Sequence, residues 1–497
     1  MVNNYLINKT IVFVTPELKT FKNRAGGLGQ VAEELVKALS ELGLKMIVVS
    51  TLYKYKVNDS NNFEEIDYSD LNLEKIGEIT IPIDKQYNTQ IFKTKKYGAD
   101  FYFLFNEEIC KALYYGDLLK YAIFLGKGTL ELLRFIKVIP DIIHLNDALT
   151  SLVVFYAKNS VHYFDFSNVK FVFTIHNAGP AYQQIFDTSR LNEISDNSHY
   201  NLIYDGKINL MYCGVKLSDI VNTVSKDYEV TLKVYGEGLK NVFIEKKVFG
   251  ILNGIDIDYW QNGEYKNANI KNVLVIKNKK KRELIEKVYQ LTGKRLDENK
   301  IIVSMPRRIA HQKGFDEIIK VIPDMINLGA QFIVLGKHHP NDMHGKYLAD
   351  KFREFHQKYK EFVFIYGFDE ELAKLMYAGS DLLLYPSLPN KEPCGTGYMM
   401  ALVNATPTLG TKTGGLDEAL SDFDETTLSG NAFLVWEDEY REFGGYAFLE
   451  KFKKVVEIYR DKYKWKRLLI NCLKSENIVD MRNCALKYVY QIYMKLI

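Results

Sequence analysis

The chain has 497 residues, more than a typical single hydrophobic core accommodates, which predicts two domains. Its 65 Lys and Arg against 62 Asp and Glu leave a formal net charge of only +3, which argues against a general polyanion binder and against a nucleic-acid partner. Five scattered cysteines without a CxxC pair favour a reduced compartment over a disulfide scaffold or a zinc site. No apolar run reaches the length of a membrane span, so we expect a cytoplasmic protein with no membrane partner.

The first fifty residues predict a strand–helix–strand unit. The run "TIVFVT" (10–15) is typical of a buried strand, the following segment repeats apolar residues on one helical face, and "KMIVVST" supplies the next strand. Short apolar runs at 141–147, 170–177 and 219–225 continue the alternation, and residues 89–105 predict a hairpin. Strands separated by crossover helices indicate a parallel sheet.

From about residue 300 the alternation of strands and helices begins again. The predicted helices cover 314–328, 342–359, 369–379 and 395–404, each after a short apolar strand. This pattern predicts a second doubly wound α/β domain, in which ligands bind beyond the carboxyl ends of the strands. The polar stretch 259–272 predicts a hinge between the domains, and the lysine-rich helix start that follows it, "KNKKKR", predicts a solvated helix face.

Three glycines, Gly26, Gly27 and Gly29, lie in "GGLG", where the first strand passes into the first helix. Glycines at such a turn allow backbone N–H groups to approach a ligand, and the positive end of the helix favours an anion. Packing of a tight turn is the alternative explanation. The spacing is not GxGxxG followed by an acid, so a nicotinamide site is not predicted.

Polar groups follow other strands at positions that favour a diphosphate ligand. In "PRRIAHQKG" the cations Arg308 and Lys313 end one strand and could converge on a diphosphate. In "NKEPCGTG" the carboxylate Glu392 precedes a glycine-rich helix start, and "FTIHN" ends a strand with His176. The structural alternatives are that Glu392 caps a helix, Lys313 is a solvent-exposed lysine and His176 is a core histidine.

At these residues the chain resembles the bacterial and plant starch/glycogen synthases, retaining glucosyltransferases of the GT-B fold. The resemblance covers nearly the full length and keeps the order of nine motifs: GGLG, HLNDALTSL, FTIHN, NTVSKDY, GILNGIDIDYW, RRIAHQKG, GFDEELAKLMYAGSDLLLYPS, EPCG and TGGL. It implies an α/β architecture of two doubly wound Rossmann-like domains facing across a cleft. We expect an acceptor-side domain at 1–255, a nucleotide-sugar domain at 256–475, and a final helix at 476–497 that returns to the first domain.

The resemblance also implies roles for the matching positions. Arg308 and Lys313 would hold the donor diphosphate, Glu392 would hold the glucosyl hydroxyls, and His176 would contact the sugar. Phe368 would lie against the nucleobase. The implied donor and phosphate site further contains Arg24, Gly26, Gly27, Gly395, Thr396, Gly397, Thr413, Gly414 and Gly415, and the acceptor site contains Asp147 and Asn177. No cofactor or metal is expected, because cations can stabilise the departing diphosphate.

The implied reaction is glucosyl transfer from ADP-glucose or UDP-glucose to the nonreducing end of an α-1,4-glucan, with retention. The chain departs from the family pattern at Arg24, where lysine is usual, at Gln30, where aspartate is usual, and at Ala148, where an aromatic residue precedes a histidine. The lost aromatic residue leaves open a sucrose-synthase-like transferase with a small acceptor. A catalytically silent glucan-binding homologue is the third hypothesis, but it predicts loss of cations or of Glu392 that are present. The nucleobase and the oligomeric state stay open.

Overall fold

A computed structural model describes residues 9–23, 26–57, 62–194 and 199–497. The chain forms two compact units, one of residues Met1–Leu252 together with Met481–Ile497 and one of residues Asn253–Asp480. The sequence predicts these two boundaries between the domains near residues 255 and 475. Arg24 lies outside the described residues, so its predicted role remains a prediction.

The first unit is built on a nine-stranded sheet accompanied by two small antiparallel sheets. Its described strands are β1 (Thr10–Val14), β2 (Lys45–Thr51), β3 (Tyr55–Val57), β4 (Phe63–Glu65), β5 (Glu74–Pro82), β6 (Gln86–Lys96), β7 (Ala99–Phe105), β8 (Ile142–Asn146), β9 (Lys170–Ile175), β10 (Ile185–Phe186), β11 (Ile203–Tyr204), β12 (Lys207–Asn209), β13 (Ile220–Thr223) and β14 (Phe249–Gly250). Its described α-helices span Leu28–Glu41, Leu118–Phe135, Leu152–Asn159, Pro180–Gln183, Leu191–Ile194, Leu210–Leu217, Lys226–Val234, Lys240–Glu245, Met481–Tyr488 and Met494–Leu496.

The main sheet of this unit has the strand order β14-β13-β9-β8-β1-β2-β7-β6-β5. The strands from β14 to β7 pair in parallel, whereas β6 pairs antiparallel with both β7 and β5. The central strands β1 and β8 are mostly apolar and are buried along their length, as expected of a parallel sheet covered by helices on both faces. The predicted hairpin at 89–105 is confirmed as β6 and β7.

The second unit contains a six-stranded, fully parallel sheet. Its strands are β15 (Ile301–Pro306), β16 (Ala330–Gly336), β17 (Phe362–Tyr366), β18 (Leu382–Tyr385), β19 (Thr408–Thr411) and β20 (Ala432–Val435). Its α-helices span Ile257–Trp260, Val273–Thr292, Phe315–Asn327, Met343–Lys358, Glu370–Gly379, Gly397–Leu402, Gly415–Ala419, Glu437–Phe443, Gly445–Arg460, Lys462–Lys474 and Glu476–Val479. The predicted alternation from residue 300 is confirmed, although the helix expected at 395–404 is shorter.

The strand order of the second sheet, β17-β16-β15-β18-β19-β20, is the order of a doubly wound nucleotide-binding fold. The chain winds outward from β15 in one direction and then returns to begin the other half at β18. The loops after these two adjacent strands therefore diverge and leave a crevice at the carboxyl edge of the sheet. In the first unit, β1 and β8 are the corresponding adjacent pair.

The lysine-rich helix Val273–Thr292 is not the solvated face that its charge pattern predicts. Lys277, Lys280 and Lys281 are all buried. The Lys277 amine donates to the carbonyl oxygens of Ala378, Ser380 and Asn404 at 3.0–3.1 Å and to Thr406 Oγ1 at 2.6 Å. Lys281 forms a buried ion pair of 2.6 Å with Asp381. The prediction was wrong because charge pattern alone does not show where carbonyl and carboxylate acceptors will lie.

The C-terminal segment completes the core of the first unit. After the helix Met481–Tyr488 the chain forms a π-helical turn, Val489–Tyr493, and the side chains of Tyr488, Val489, Ile492 and Tyr493 are buried. Within the described residues, no helix has both the length and the apolar character needed to cross a bilayer.

Candidate functional site

Three cations surround one buried carboxylate at the carboxyl edge of the second sheet. Lys313, from the loop after β15, forms an ion pair with Oε2 of Glu392, from the loop after β18. The Arg307 guanidinium donates to the same oxygen at 3.2 Å and to Ser387 Oγ at 3.0 Å. Arg308 is exposed, and its positive charge acts on both Lys313 and Glu392. This cluster lies at the strand pair where the doubly wound topology predicts a ligand.

The pKa shifts in this cluster follow from burial and from the excess of cations. Burial lowers the pKa of Lys313 to about 8, because the attraction of Glu392 only partly offsets desolvation and the repulsion by Arg307 and Arg308. Burial alone would raise the pKa of Glu392, but Lys313 and the two arginines hold it below its usual range. At neutral pH, one carboxylate therefore faces three positive charges, and the site has a net charge suited to an anion.

Arg307 is a site residue that sequence reasoning missed. Its side chain is 6% exposed, and the guanidinium lies 3.6 Å from the centroid of the Tyr385 ring. Its Nε and Nη1 atoms are buried without a hydrogen-bond partner among the described residues. A buried donor without a partner is costly, and an anionic ligand could accept from it. The only signal in the sequence was that Arg307 directly precedes Arg308 in "PRRIAHQKG".

The structure decides between the alternatives for Glu392 and Lys313. The helix Gly397–Leu402 has Thr396, and not Glu392, at its N-cap. Lys313 is 13% exposed and bound to Glu392, so it is not a solvent-exposed lysine. Both structural alternatives were wrong.

The glycine-rich loops have conformations that only glycine adopts easily. Gly395 has φ +69°, and a Cβ there would lie 2.3 Å from the Tyr385 hydroxyl oxygen. Gly414 has φ +56°, and a Cβ there would lie 2.1 Å from the carbonyl oxygen of Glu392. The loop after β19 thus packs directly against the backbone of Glu392 and sets the position of that residue.

Other predicted donor residues follow strands of the same sheet. Gly397 and Gly415 each begin a short helix, and neither helix has a side-chain cap. Thr413, after β19, accepts a hydrogen bond of 3.1 Å from the backbone N–H of Asn390. Phe368 lies beyond the carboxyl end of β17 and is 64% exposed, as an aromatic platform would be.

In the first unit, the three glycines of the first loop have different surroundings. A Cβ on Gly29 would approach Glu17 Cβ and the backbone nitrogens of Leu18 and Lys19 within 3.2–3.3 Å. A Cβ on Gly26 or Gly27 would meet none of the described residues within 4 Å. Packing therefore explains Gly29 but does not explain Gly26 or Gly27.

Glu17 is a second residue that sequence reasoning missed. Its buried carboxylate accepts hydrogen bonds from the Gly26 N–H at 3.0 Å and from the Tyr114 hydroxyl at 2.5 Å. Its charge also contributes to the raised pKa of Asp147. Glu17 therefore joins the glycine loop after β1 to the residue after β8, although no motif in the sequence marks it.

Asp147 and His176 lie together at the ends of β8 and β9. The Asp147 carboxylate accepts the His176 backbone N–H at 2.8 Å, and His176 Nε2 donates to Asn146 Oδ1 at 3.0 Å. Burial raises the pKa of Asp147 to about 7 and lowers that of His176 to about 4, so the imidazole is neutral at pH 7. Asp147 also has φ +60° and ψ 171°, a conformation that is rare outside glycine and often found at functional sites.

Asn177 and Ala148 flank this pair. The Asn177 side chain accepts the Gly179 N–H at 2.8 Å and so shapes the turn before the next helix. Ala148, where the related family has an aromatic residue, is fully buried. The segment after β8 thus presents no aromatic ring at this position.

Comparisons with known proteins assign the family. Residues 10–245 match the family described as "Starch synthase catalytic domain", and residues 268–440 match "Glycosyl transferases group 1". The chain is 31% identical over 489 residues to a glycogen synthase of Thermosipho melanesiensis, covering 95% of this chain and 96% of the relative. It is 29% identical over 500 residues to a glycogen synthase of Clostridioides difficile, covering 96% and 98%. The chain belongs to the starch/glycogen synthase family.

A solved structure agrees with this family assignment. The catalytic domain of starch synthase IV from Arabidopsis thaliana, bound to ADP and acarbose, superposes with a TM-score of 0.81 at 25% identity, covering 98% of this chain and 99% of that one. The GT-B class with two Rossmann-like domains is confirmed, and this starch/glycogen synthase family member is a hexosyltransferase. The roles that the resemblance implies for individual residues stay predictions.

Proposed function

We propose that this enzyme transfers glucose from ADP-glucose or UDP-glucose to the nonreducing end of an α-1,4-glucan, with retention of configuration. Its relatives are named glycogen synthases, and the related plant starch synthase was solved with ADP and acarbose. The observation that carries the proposal is the grouping of Arg307, Arg308 and Lys313 around Glu392 at the carboxyl edge of β15 and β18. A nucleoside diphosphate carries the negative charge that this grouping lacks.

The chemistry of glucosyl transfer fits these groups. As the bond from the anomeric carbon to the diphosphate breaks, negative charge develops on the leaving group and positive charge on the sugar. The three cations would stabilise the diphosphate without a metal ion or another cofactor. The free N–H groups of Arg307 would donate to its oxygens.

Glu392 is arranged to use its two oxygens differently. Arg307, Lys313 and Ser387 all contact Oε2, and none of the described residues donates to Oε1. The cations thus hold the carboxylate in one orientation, and Oε1 would accept the glucosyl hydroxyls. The carboxylate also lies where it would favour positive charge on the sugar.

The glycine loop and the strand ends of the first unit carry the further groups to which the family resemblance assigns donor and acceptor roles. The open surroundings of Gly27 among the described residues leave room for a ligand at its backbone, as the donor role requires, whereas the N–H of Gly26 already donates to Glu17. Because its Nε2–H donates to Asn146 Oδ1, neutral His176 would accept a hydrogen bond from a sugar hydroxyl at Nδ1 without adding charge, and Asp147 and Asn177 would act on the acceptor side. We also propose a cytoplasmic location, with no nucleic-acid or membrane partner, from the net charge and the cysteine usage of the chain.

Substitution of Glu392 tests the proposal directly. Glu392→Gln keeps the size of the side chain but removes its charge, so we expect kcat to fall about 100-fold or more while ADP still binds. The matched control is Glu371→Gln, an exposed carboxylate paired with Lys374, which should leave kcat unchanged. The measurements are glucosyl transfer to glycogen with each nucleotide sugar, calorimetric titration of ADP, and the anomeric configuration of the product by NMR. Undiminished transfer by Glu392→Gln would refute the assignment.

A small acceptor is the second candidate, and it rests on the buried Ala148. Without an aromatic ring at position 148, that position offers no stacking surface for a long glucan. Parallel assays with glycogen, maltose and fructose separate the two candidates. A higher kcat/KM for fructose or maltose than for glycogen would favour the small-acceptor enzyme.

A further inference from the structure

Two histidines and one aspartate converge on the surface of the second unit. His311 Nδ1 lies 3.2 Å from Asp316 Oδ2, and His344 Nε2 lies 2.8 Å from Asp316 Oδ1. The three potential ligand atoms all lie within 4.8 Å of one another. The two imidazole rings meet edge to face with their centroids 5.1 Å apart. One carboxylate therefore bridges two imidazoles.

The three side chains come from backbone segments whose ends are well defined. His311 opens the 3-10 turn His311–Lys313, and Asp316 lies in the first turn of the helix Phe315–Asn327. His344 lies in the first turn of the helix Met343–Lys358, whose N-cap Asp342 accepts the Gly345 N–H at 2.8 Å. The sequence did not reveal this convergence, because His344 is 33 positions from His311 and packing alone brings them together.

We propose that His311, Asp316 and His344 bind a divalent transition-metal ion such as Zn²⁺. Two imidazole nitrogens and one carboxylate oxygen are ligands that zinc and its neighbours in the first transition row accept, with water completing the coordination. Tetrahedral zinc with bonds of about 2.0–2.2 Å needs ligand atoms about 3.4 Å apart. The two imidazole nitrogens lie 3.2 and 2.8 Å from different oxygens of Asp316, and the three ligand atoms lie within 4.8 Å of one another, so the side chains would have to adjust their positions to reach that spacing. Mg²⁺, which prefers oxygen ligands, is not favoured at this site.

Metal binding at this site requires both histidines to change tautomer. Neutral imidazoles release no net proton in this change. Each imidazole nitrogen that faces Asp316 must offer its lone pair to the metal, so the ring proton moves to the other nitrogen. That other nitrogen can donate to water, since both histidine side chains are substantially exposed, at 66% and 43%. The carboxylate then neutralises one of the two charges of the metal.

Metal binding at this site would affect the loop that carries Lys313. His311 precedes Lys313 by two residues. Gly314, which follows them and precedes the helix Phe315–Asn327, has φ +72°, and a Cβ there would overlap the Pro386 carbonyl oxygen. A metal ion at this site would fasten the loop to the helix Met343–Lys358. The existence of this site does not depend on the proposed function.

The experiment is a metal titration of the full-length protein after treatment with EDTA. Binding of Zn²⁺ is followed by calorimetry and by the rise in melting temperature that a ligand of the native state produces, and Co²⁺ is added separately for its visible absorption. His311→Ala and His344→Ala should each weaken Zn²⁺ binding by about 10- to 100-fold, at least the loss seen when a supporting partner of a metal ligand is removed. Mg²⁺ should cause no comparable shift.

The matched control is His162→Ala in the first unit. His162 is also exposed and lies 2.9 Å from one carboxylate, Glu131, but it belongs to no such cluster among the described residues. We expect this variant to bind Zn²⁺ like the unaltered protein. The proposal is overturned if the unaltered protein shows no Zn²⁺ binding in the micromolar range, or if His311→Ala and His344→Ala both bind as tightly as it does. Two independent histidine variants keep the test valid if one of them folds poorly.

Discussion

The three glycines of the first loop differ in what their surroundings require of them. Gly29 lies against the backbone of Leu18 and Lys19, so it is required for packing, whereas Gly26 and Gly27 face open space. The sequence offered ligand approach and packing as alternatives for the whole motif. In the structure, packing explains one of the three glycines, and ligand approach remains the explanation for the other two.

This division gives a prediction with an internal control. Gly29→Ala should lower the melting temperature, because its Cβ would press on two backbone nitrogens that cannot move freely. Gly27→Ala should leave the melting temperature nearly unchanged but raise KM for the nucleotide sugar about tenfold, because a methyl group would obstruct approach to the backbone. Thermal unfolding and donor kinetics measure both effects. Equal donor KM values for Gly27→Ala and the unaltered enzyme would exclude a donor contact at Gly27.

At the level of elements, the helix Val273–Thr292 is held by a buried amine rather than by an apolar face alone. The Lys277 amine donates hydrogen bonds to carbonyl oxygens at the end of the helix Glu370–Gly379 and in the loop after the helix Gly397–Leu402. Burial lowers the pKa of Lys277 to about 7. This pKa lies below that of Lys277 in the unfolded chain, so between the two values the unfolded state binds a proton that the folded state does not. The contribution of Lys277 to stability is therefore fully present above the unfolded pKa and is lost as the pH falls towards 7.

We expect Lys277→Met to lower the free energy of unfolding of the second unit by about 3 kcal/mol at pH 9, since it removes one donor from each of three buried carbonyl groups and from the Thr406 hydroxyl. The difference from the unaltered protein should shrink by about 1.4 kcal/mol per pH unit between pH 9 and pH 7. All three tryptophans, Trp260, Trp436 and Trp465, lie in the second unit, so urea unfolding followed by tryptophan fluorescence reports on it. The exposed neighbour Lys279→Met should have little effect. A pH-independent difference would contradict the titration of Lys277.

At the level of the whole molecule, the chain leaves the first unit after Leu252 and returns at Met481. Tyr493 from the returning segment lies 2.8 Å from Nδ1 of the buried His144, whose Nε2 lies 2.7 Å from Thr174 Oγ1. Thr174 in turn donates to Asn222 Oδ1, so it must accept from His144 Nε2–H, and Tyr493 must donate to Nδ1. Burial lowers the pKa of His144 to about 3, which keeps it neutral and able to accept.

Tyr493→Phe should therefore lower the stability of the first unit by about 1–3 kcal/mol, because His144 Nδ1 loses its only donor in this network. Tyr490→Phe is the control, since Tyr490 is 49% exposed. Hydrogen exchange measured by mass spectrometry on peptides that cover β8 and β9 should speed up in the first variant and stay unchanged in the second. An increase in exchange rate that is confined to the C-terminal helix would show that the network does not stabilise the sheet.

Much of the fold could be predicted because local patterns dominate it. The strands from Thr10 to Thr51 and the alternation after residue 300 follow from apolar runs and helical periodicity, which act within ten or twenty residues. The candidate donor residues could be named because Arg308, Lys313 and Glu392 follow strands in recognisable motifs. The partners of those residues could not be named: Arg307, Ser387 and Glu17 acquire their roles only through contacts across the sheet.

By itself, the sequence determined that the protein has two α/β halves, belongs to the starch/glycogen synthase family and has cations and a carboxylate at strand ends, because these features are carried by local composition and ordered motifs. Only the tertiary structure decided that Arg307 and Lys313 share one oxygen of Glu392, that three lysines of a charged helix are buried, and that His311, Asp316 and His344 meet. The physical reason is that burial and charge pairing depend on which distant segments become neighbours, and strand order sets those neighbours.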